Sequence, residues 1–158
     1  MTPPPPPPPS RLGTRAVSSA EIASLGRRTS ALARLPHHAG VQRALLERLS
    51  IGALAYSDIT RLEMGLTARN AQEHDALGAL LARLPQVRIM SEDYDRAWEV
   101  QGLLAAASTH RGVAPPDLLV AACAERLGLT LIHCDADFDA IAEVTGQPTR
   151  WAVDRESL

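Results

Sequence analysis

The chain has 158 residues, one domain's worth and enough for a single sizeable core. Its hydrophobic fraction of 46% fits a globular class, and an aromatic content of 3% makes that core aliphatic and alanine-rich. No apolar run approaches the ~20 residues that span a bilayer, and the leader "MTPPPPPPPSRLGTR" lacks the apolar segment of a signal peptide.

Charge narrows the field further. All sixteen basic residues are arginine, and the absence of lysine excludes a Walker-type phosphate loop and any Schiff-base chemistry. The net charge of −2 is unevenly spread: residues 1–50 hold seven arginines against Glu21 and Glu47, whereas the remainder holds nine arginines against sixteen acids. A basic end beside an acidic remainder suits a phosphate-bearing ligand approaching a metal-loaded site, and equally a simple basic tail. The two cysteines, Cys123 and Cys134, form no CxxC pattern, so a reducing, cytoplasmic setting is the default expectation.

Pro3 to Pro9 is an uninterrupted run that reads as an extended polyproline segment. Residues 10–28 are polar and weakly patterned, which makes 1–28 a tail and 29–158 the domain, and "AEIASLGRR" is a poor strand by pattern. From Thr29 leucines fall at helical spacing, among them Leu45, Leu46 and Leu49, with a break at Pro36. "IGALAY" is a strand candidate. A helix capped by Ser57 or Asp58 follows, running through Ile59, Leu62 and Leu66. Helical spacing over 71–84 stops at Pro85, and "VRIM" reads as a short buried strand. Ser91 opens a helix bearing Ala97, Val100, Leu103 and Leu104. After the loop "HRGVAPP", Asp117 begins a helix that ends at Gly128. A strand over 129–134, a helix over 136–145 and a strand "TRWAV" complete the pattern. Alternating strands and helices predict an α/β sandwich around a mainly parallel sheet.

Ligand sites in open parallel sheets form beyond the carboxyl ends of the strands, and that is where Asp135 and Asp137 fall. Asp117 opens the helix leading into the same strand. Glu63 lies four residues after Ile59 and three before Leu66, on the face expected to point inward. Each acid taken singly has a plainer role. Asp135 and Asp117 suit helix caps, Asp137 a first-turn acid, and Glu63 the edge of its face. Asp139 is expected to point outward. Caps do not require four acids to converge, however, and hard oxygen donors without a His or Cys cluster point to Mg²⁺ or Mn²⁺. His133 inside the apolar strand reads as a core histidine, and the His110-Arg111 pair as loop surface beside the acids.

Three segments, "SDITRLEMGLTARN", "HRGVAPPDLLVAACAERLGLTLIHCDADFDAI" and "VTGQPTRWAV", together resemble the PIN-domain ribonucleases of the VapC toxin family. The resemblance runs from about Thr29 to the end. It implies a small three-layer α/β/α domain that cleaves RNA with Mg²⁺ held by acids. It also implies an antitoxin whose C-terminal segment blocks the site, and frequently a homodimer. By the same resemblance Glu63, Asp117 and Asp135 match the family's metal-holding acids, Asp137 an accessory acid, and Ser30 a small polar residue near the RNA. Arg111 is a further candidate contact for RNA phosphate. The sequence departs from the pattern at Arg28, where the family carries its first aspartate. That departure sets a second expectation beside the first: a non-catalytic PIN-like domain that only binds antitoxin or RNA. "LIHCDAD" also resembles the DxD of haloacid-dehalogenase phosphatases, which normally carry it near the N-terminus with a later lysine; here it comes late and lysine is absent.

Overall fold

The computed structural model describes residues 21–23, 43, 47–48 and 53–155. The proline run, most of the helical stretch 29–50, and with it Arg28 and Ser30, lie outside the described residues. In chain order the elements are β1 (Glu21–Ala23), β2 (Leu54–Ser57), α1 (Asp58–Gly65), α2 (Ala71–Leu81), β3 (Gln86–Val87), α3 (Ser91–Ala106), α4 (Pro115–Leu127), β4 (Thr130–His133), α5 (Asp137–Thr145) and β5 (Thr149–Trp151).

The five strands form one sheet in the order β3-β2-β1-β4-β5, with every pairing parallel. Parallel strands are buried on both faces, so successive side chains enter different cores. Leu131 and Ile22 pack with α3, α4 and α5. Ile132, Leu54 and Tyr56 pack on the other side with Met64 of α1 and Leu77 and Leu81 of α2. These two clusters make the three layers.

Glu21–Ala23 sits in the middle of this sheet, between β2 and β4, with Ile22 wholly buried. The expectation that residues 1–28 form a tail outside the domain therefore needs correction for these three residues. A strand this short leaves no alternation to read, and its single apolar anchor is flanked by Glu21. The Glu21 carboxylate is held at the start of the strand by Arg48 (2.6 Å) and Arg150 (3.2 Å).

Other boundaries also shift. Ser57, not Asp58, caps α1: its Oγ accepts from the Thr60 N–H at 3.1 Å and pairs with Thr60 Oγ1 at 3.0 Å. Both residues are fully buried, so Ser57→Ala is expected to cost about 1–2 kcal/mol, read as a lowered midpoint in urea unfolding with the slope unchanged. The freed Asp58 carboxylate instead accepts from Gln86 Nε2 (2.6 Å), Arg88 Nη1 (3.1 Å) and the Ile89 N–H (3.1 Å). Strand β3 is shorter than "VRIM" suggests, at Gln86–Val87, because its one neighbour β2 ends at Ser57, opposite Val87. Helix α4 begins two residues before Asp117, with Pro115 and Pro116 at its first positions and no side-chain cap. Its end agrees with expectation: Gly128 adopts φ 64°. Arg126 near that end grips the buried Asp93 carboxylate at 2.7 and 2.9 Å, and Arg96 pairs with Glu125, fastening α3 along α4. No helix among the described residues is long and apolar enough to cross a membrane.

Candidate active site

Strand order reverses between β1 and β4, because the chain winds outward from β1 in one direction and from β4 in the other. A crevice opens at the carboxyl ends of strands at such a point. The acidic turn occupies it. Asp135 lies two residues past the end of β4, and Asp137 opens α5. Asp135 Oδ1 accepts from the Asp137 N–H at 3.1 Å, a bond two residues on in the turn, while the residue at the N-cap position of α5 is Ala136, not the Asp135 expected. That bond uses one lone pair and leaves the rest of the carboxylate for other partners.

Asp117 faces this turn from the first turn of α4, where the two prolines set the chain into helix and deliver the carboxyl to the core side. Only 4% of it is exposed. Burial, and then the negative charges of Asp135 and Asp137, push its carboxyl up to about 7. Two of the four acids singled out from the sequence, Asp135 and Asp137, thus act on a third, Asp117. Glu63 is half-buried on α1, which packs against α4. The face on which it was placed is drawn differently in the structure: Thr60 and Met64 point inward, whereas Leu62 (69%) and Leu66 (76%) are exposed. Glu63 borders the buried face through its neighbour Met64, not through Leu66.

Arg111 is exposed on the loop before α4. The next residue, Gly112, runs close to the acids, since a Cβ there would stand 4.0 Å from Asp137 Oδ1 and 3.6 Å from the Thr109 carbonyl. Ser30 lies outside the described residues.

The donor set is all oxygen, and a buried carboxyl flanked by two more has the chemistry that hard divalent cations satisfy. Among the described residues no three His, Cys, Asp or Glu side chains converge closely enough to hold a metal ion. The donor chemistry fits such an ion, and the convergence stops short of a full ligand set.

His133 is the core histidine expected, 1% exposed, its ring 5.3 Å from Phe138 and 4.9 Å from Trp151. Burial lowers its pKa against the opposing pull of Asp139. Asp139, expected to point outward, is instead half-buried and accepts from Trp151 Nε1 at 3.0 and 3.2 Å. Nothing in its spacing signalled this, because the partner arrives from β5.

Comparison with known proteins shows the family and the fold. The family model described as PIN domain matches residues 29–144. Ribonuclease VapC51 of Mycobacterium tuberculosis is 45% identical over 125 residues, covering 79% of this chain and 90% of that protein. Ribonuclease VapC21 of the same species is 39% identical over 118 residues, covering 74% and 86%. Among solved structures, a DNA-bound VapBC from Salmonella typhimurium superposes with a TM-score of 0.67 at 14% identity, covering 85% of this chain and 99% of that one. VapBC2 from Rickettsia felis, bound to a promoter DNA fragment, gives 0.63 at 16% identity, covering 82% and 98%. The two structures share the fold with this chain.

Proposed function

Because the chain belongs to the PIN-domain family, within its VapC group, we propose that it is a metal-dependent endoribonuclease, the toxin of a toxin–antitoxin pair, that hydrolyses RNA phosphodiesters with its acidic cluster. The observation that carries the reading is Asp117, buried at the sheet's switch point and raised to about 7 by burial and by Asp135 and Asp137. A carboxyl raised by burial and by neighbouring charges, in a crevice, is a candidate for a functional site. Asp117, Asp135 and Glu63 would hold Mg²⁺ or Mn²⁺, with Asp137 orienting the attacking water. A bound ion of this kind neutralises phosphate charge and makes water a better nucleophile. The chain's own part is to hold the carboxylates against mutual repulsion and to exclude solvent from Asp117. Arg111, exposed next to Gly112, which runs close to Asp137, suits an RNA phosphate, with Ser30 a further contact. The partners in this reading are the RNA, a cognate antitoxin and a second copy of the chain.

One observation favours a different reading. Arg28 stands where the family pattern has its first acid, and a guanidinium there opposes a cation. On that reading the domain is non-catalytic and only binds antitoxin or RNA. Cleavage of RNA by the purified chain with Mg²⁺ or Mn²⁺, against EDTA, separates the two. Metal-dependent cutting by the parent, lost in Asp117→Asn, upholds the nuclease. A folded parent that cuts nothing, beside an Arg28→Asp variant that cuts, establishes the disarmed form.

A further inference from the structure

We propose that Asp139 is a positioning residue for the acidic turn: through the indole of Trp151 it clamps the first turn of α5 onto β5 and so fixes Asp135 and Asp137. The inference rests on the nuclease reading of the site.

The acidic turn is tied to the strand beside it. Asp135 and Asp137 carry like charge, and both act on a third acid, Asp117. Their repulsion tends to splay the turn, against which the Asp137 N–H donates to Asp135 Oδ1 at 3.1 Å and the Phe138 N–H to the Asp135 carbonyl at 3.3 Å. Upstream the turn hangs from His133, whose backbone is locked in the sheet opposite Trp151 and whose carbonyl accepts from the Ala152 N–H at 2.8 Å. Downstream it hangs from Phe138, which is buried against the His133 ring, and from Asp139. Both Asp139 oxygens are engaged on the β5 side. They share the Trp151 Nε1–H at 3.0 and 3.2 Å, and Arg155 Nη1 lies 3.6 Å from Oδ2. The Arg155 guanidinium also sits 5.3 Å over the Trp151 ring, holding the indole in place. The His133 ring fills the space between Trp151 and Phe138, with its Nε2 3.7 Å from Asp139 Oδ1. Strand β5 thereby reaches across to the acids through one indole N–H.

Three variants separate a clamp from a charge. Asp139→Asn keeps a carbonyl acceptor for the indole, Asp139→Ala removes it, and Trp151→Phe keeps a ring against His133 while deleting the donor. With a short RNA substrate and Mn²⁺, Asp139→Ala and Trp151→Phe are expected to lower kcat about 10- to 100-fold, since misplacement of this kind acts on the reacting geometry. KM should stay within about twofold, and the double variant should be no worse than either single one. Asp139→Asn should retain kcat to within about threefold. Amide hydrogen exchange of residues 137–140 should accelerate about tenfold in Asp139→Ala and Trp151→Phe and not in Asp139→Asn. The clamp is overturned if Asp139→Asn is as damaging as Asp139→Ala, or if Trp151→Phe leaves both kcat and exchange unchanged. A parent that cuts no RNA sinks the nuclease reading, and the exchange measurement then decides the clamp by itself.

Discussion

Asp117→Asn is expected to make the protein more stable at pH 8, by roughly 2–4 kcal/mol without divalent cations, while abolishing RNA cleavage. The sign follows from protons. In the folded chain the carboxyl titrates near 7, against an ordinary value of 3.8, so between these limits the folded state binds the extra proton. Stability of the parent therefore falls as pH rises from about 4 to about 7, and beyond that the full cost of a buried anion is present. Asparagine mimics the protonated carboxyl and carries no such cost, so parent and variant should converge near pH 4. Thermal or urea unfolding at pH 4, 6 and 8, in EDTA, measures this directly. Adding Mn²⁺ at pH 8 should stabilise the parent more than the variant, because the variant lacks one of the three proposed anionic ligands. A variant less stable than the parent at pH 8 would mean that Asp117 has a compensating cationic partner.

The second large effect lies in β1. Ile22→Ala is expected to cost about 3–4 kcal/mol, because Ile22 is wholly buried at the centre of the sheet, where a cavity cannot collapse. Removing residues 1–28 altogether should leave no cooperatively folding domain, since β2 and β4 would lose the strand that pairs with both. Guanidinium unfolding followed by circular dichroism reads both outcomes. If the shortened chain unfolded with the parent's midpoint, the sheet would have to close without Glu21–Ala23.

How far the sequence can be read depends on how many residues carry each signal. Strand β4 and helix α4 were legible because each has a full pattern and α4 a glycine at its end; Asp117, Asp135 and Asp137 then followed from position alone. Strand β1 was not legible, since one isoleucine beside a glutamate has no period. Glu63 shows the intermediate case. In an eight-residue helix, two registers of a 3.6 repeat fit equally well, and the cap at Ser57 selected the one that buries Thr60 and Met64 and exposes Leu62 and Leu66. Asp139 was misjudged because its partner, Trp151, is placed beside it by the β4–β5 ladder and not by any local spacing.

The parallel pairing of β1 with β4 joins Glu21 to Thr130 and Ala23 to Ile132, so the middle of the sheet is closed by contacts between the two ends of the domain. Such long-range pairing is slow, because most of the chain must be ordered before it is rewarded. On a ribosome delivering the chain from its N-terminus, β1 waits for nearly the whole sequence before its second neighbour exists. Asp135 and Asp137 follow directly behind that neighbour. The acidic crevice is therefore among the last features to form, and a nascent or truncated chain ending before β4 has neither a closed sheet nor an assembled set of carboxylates.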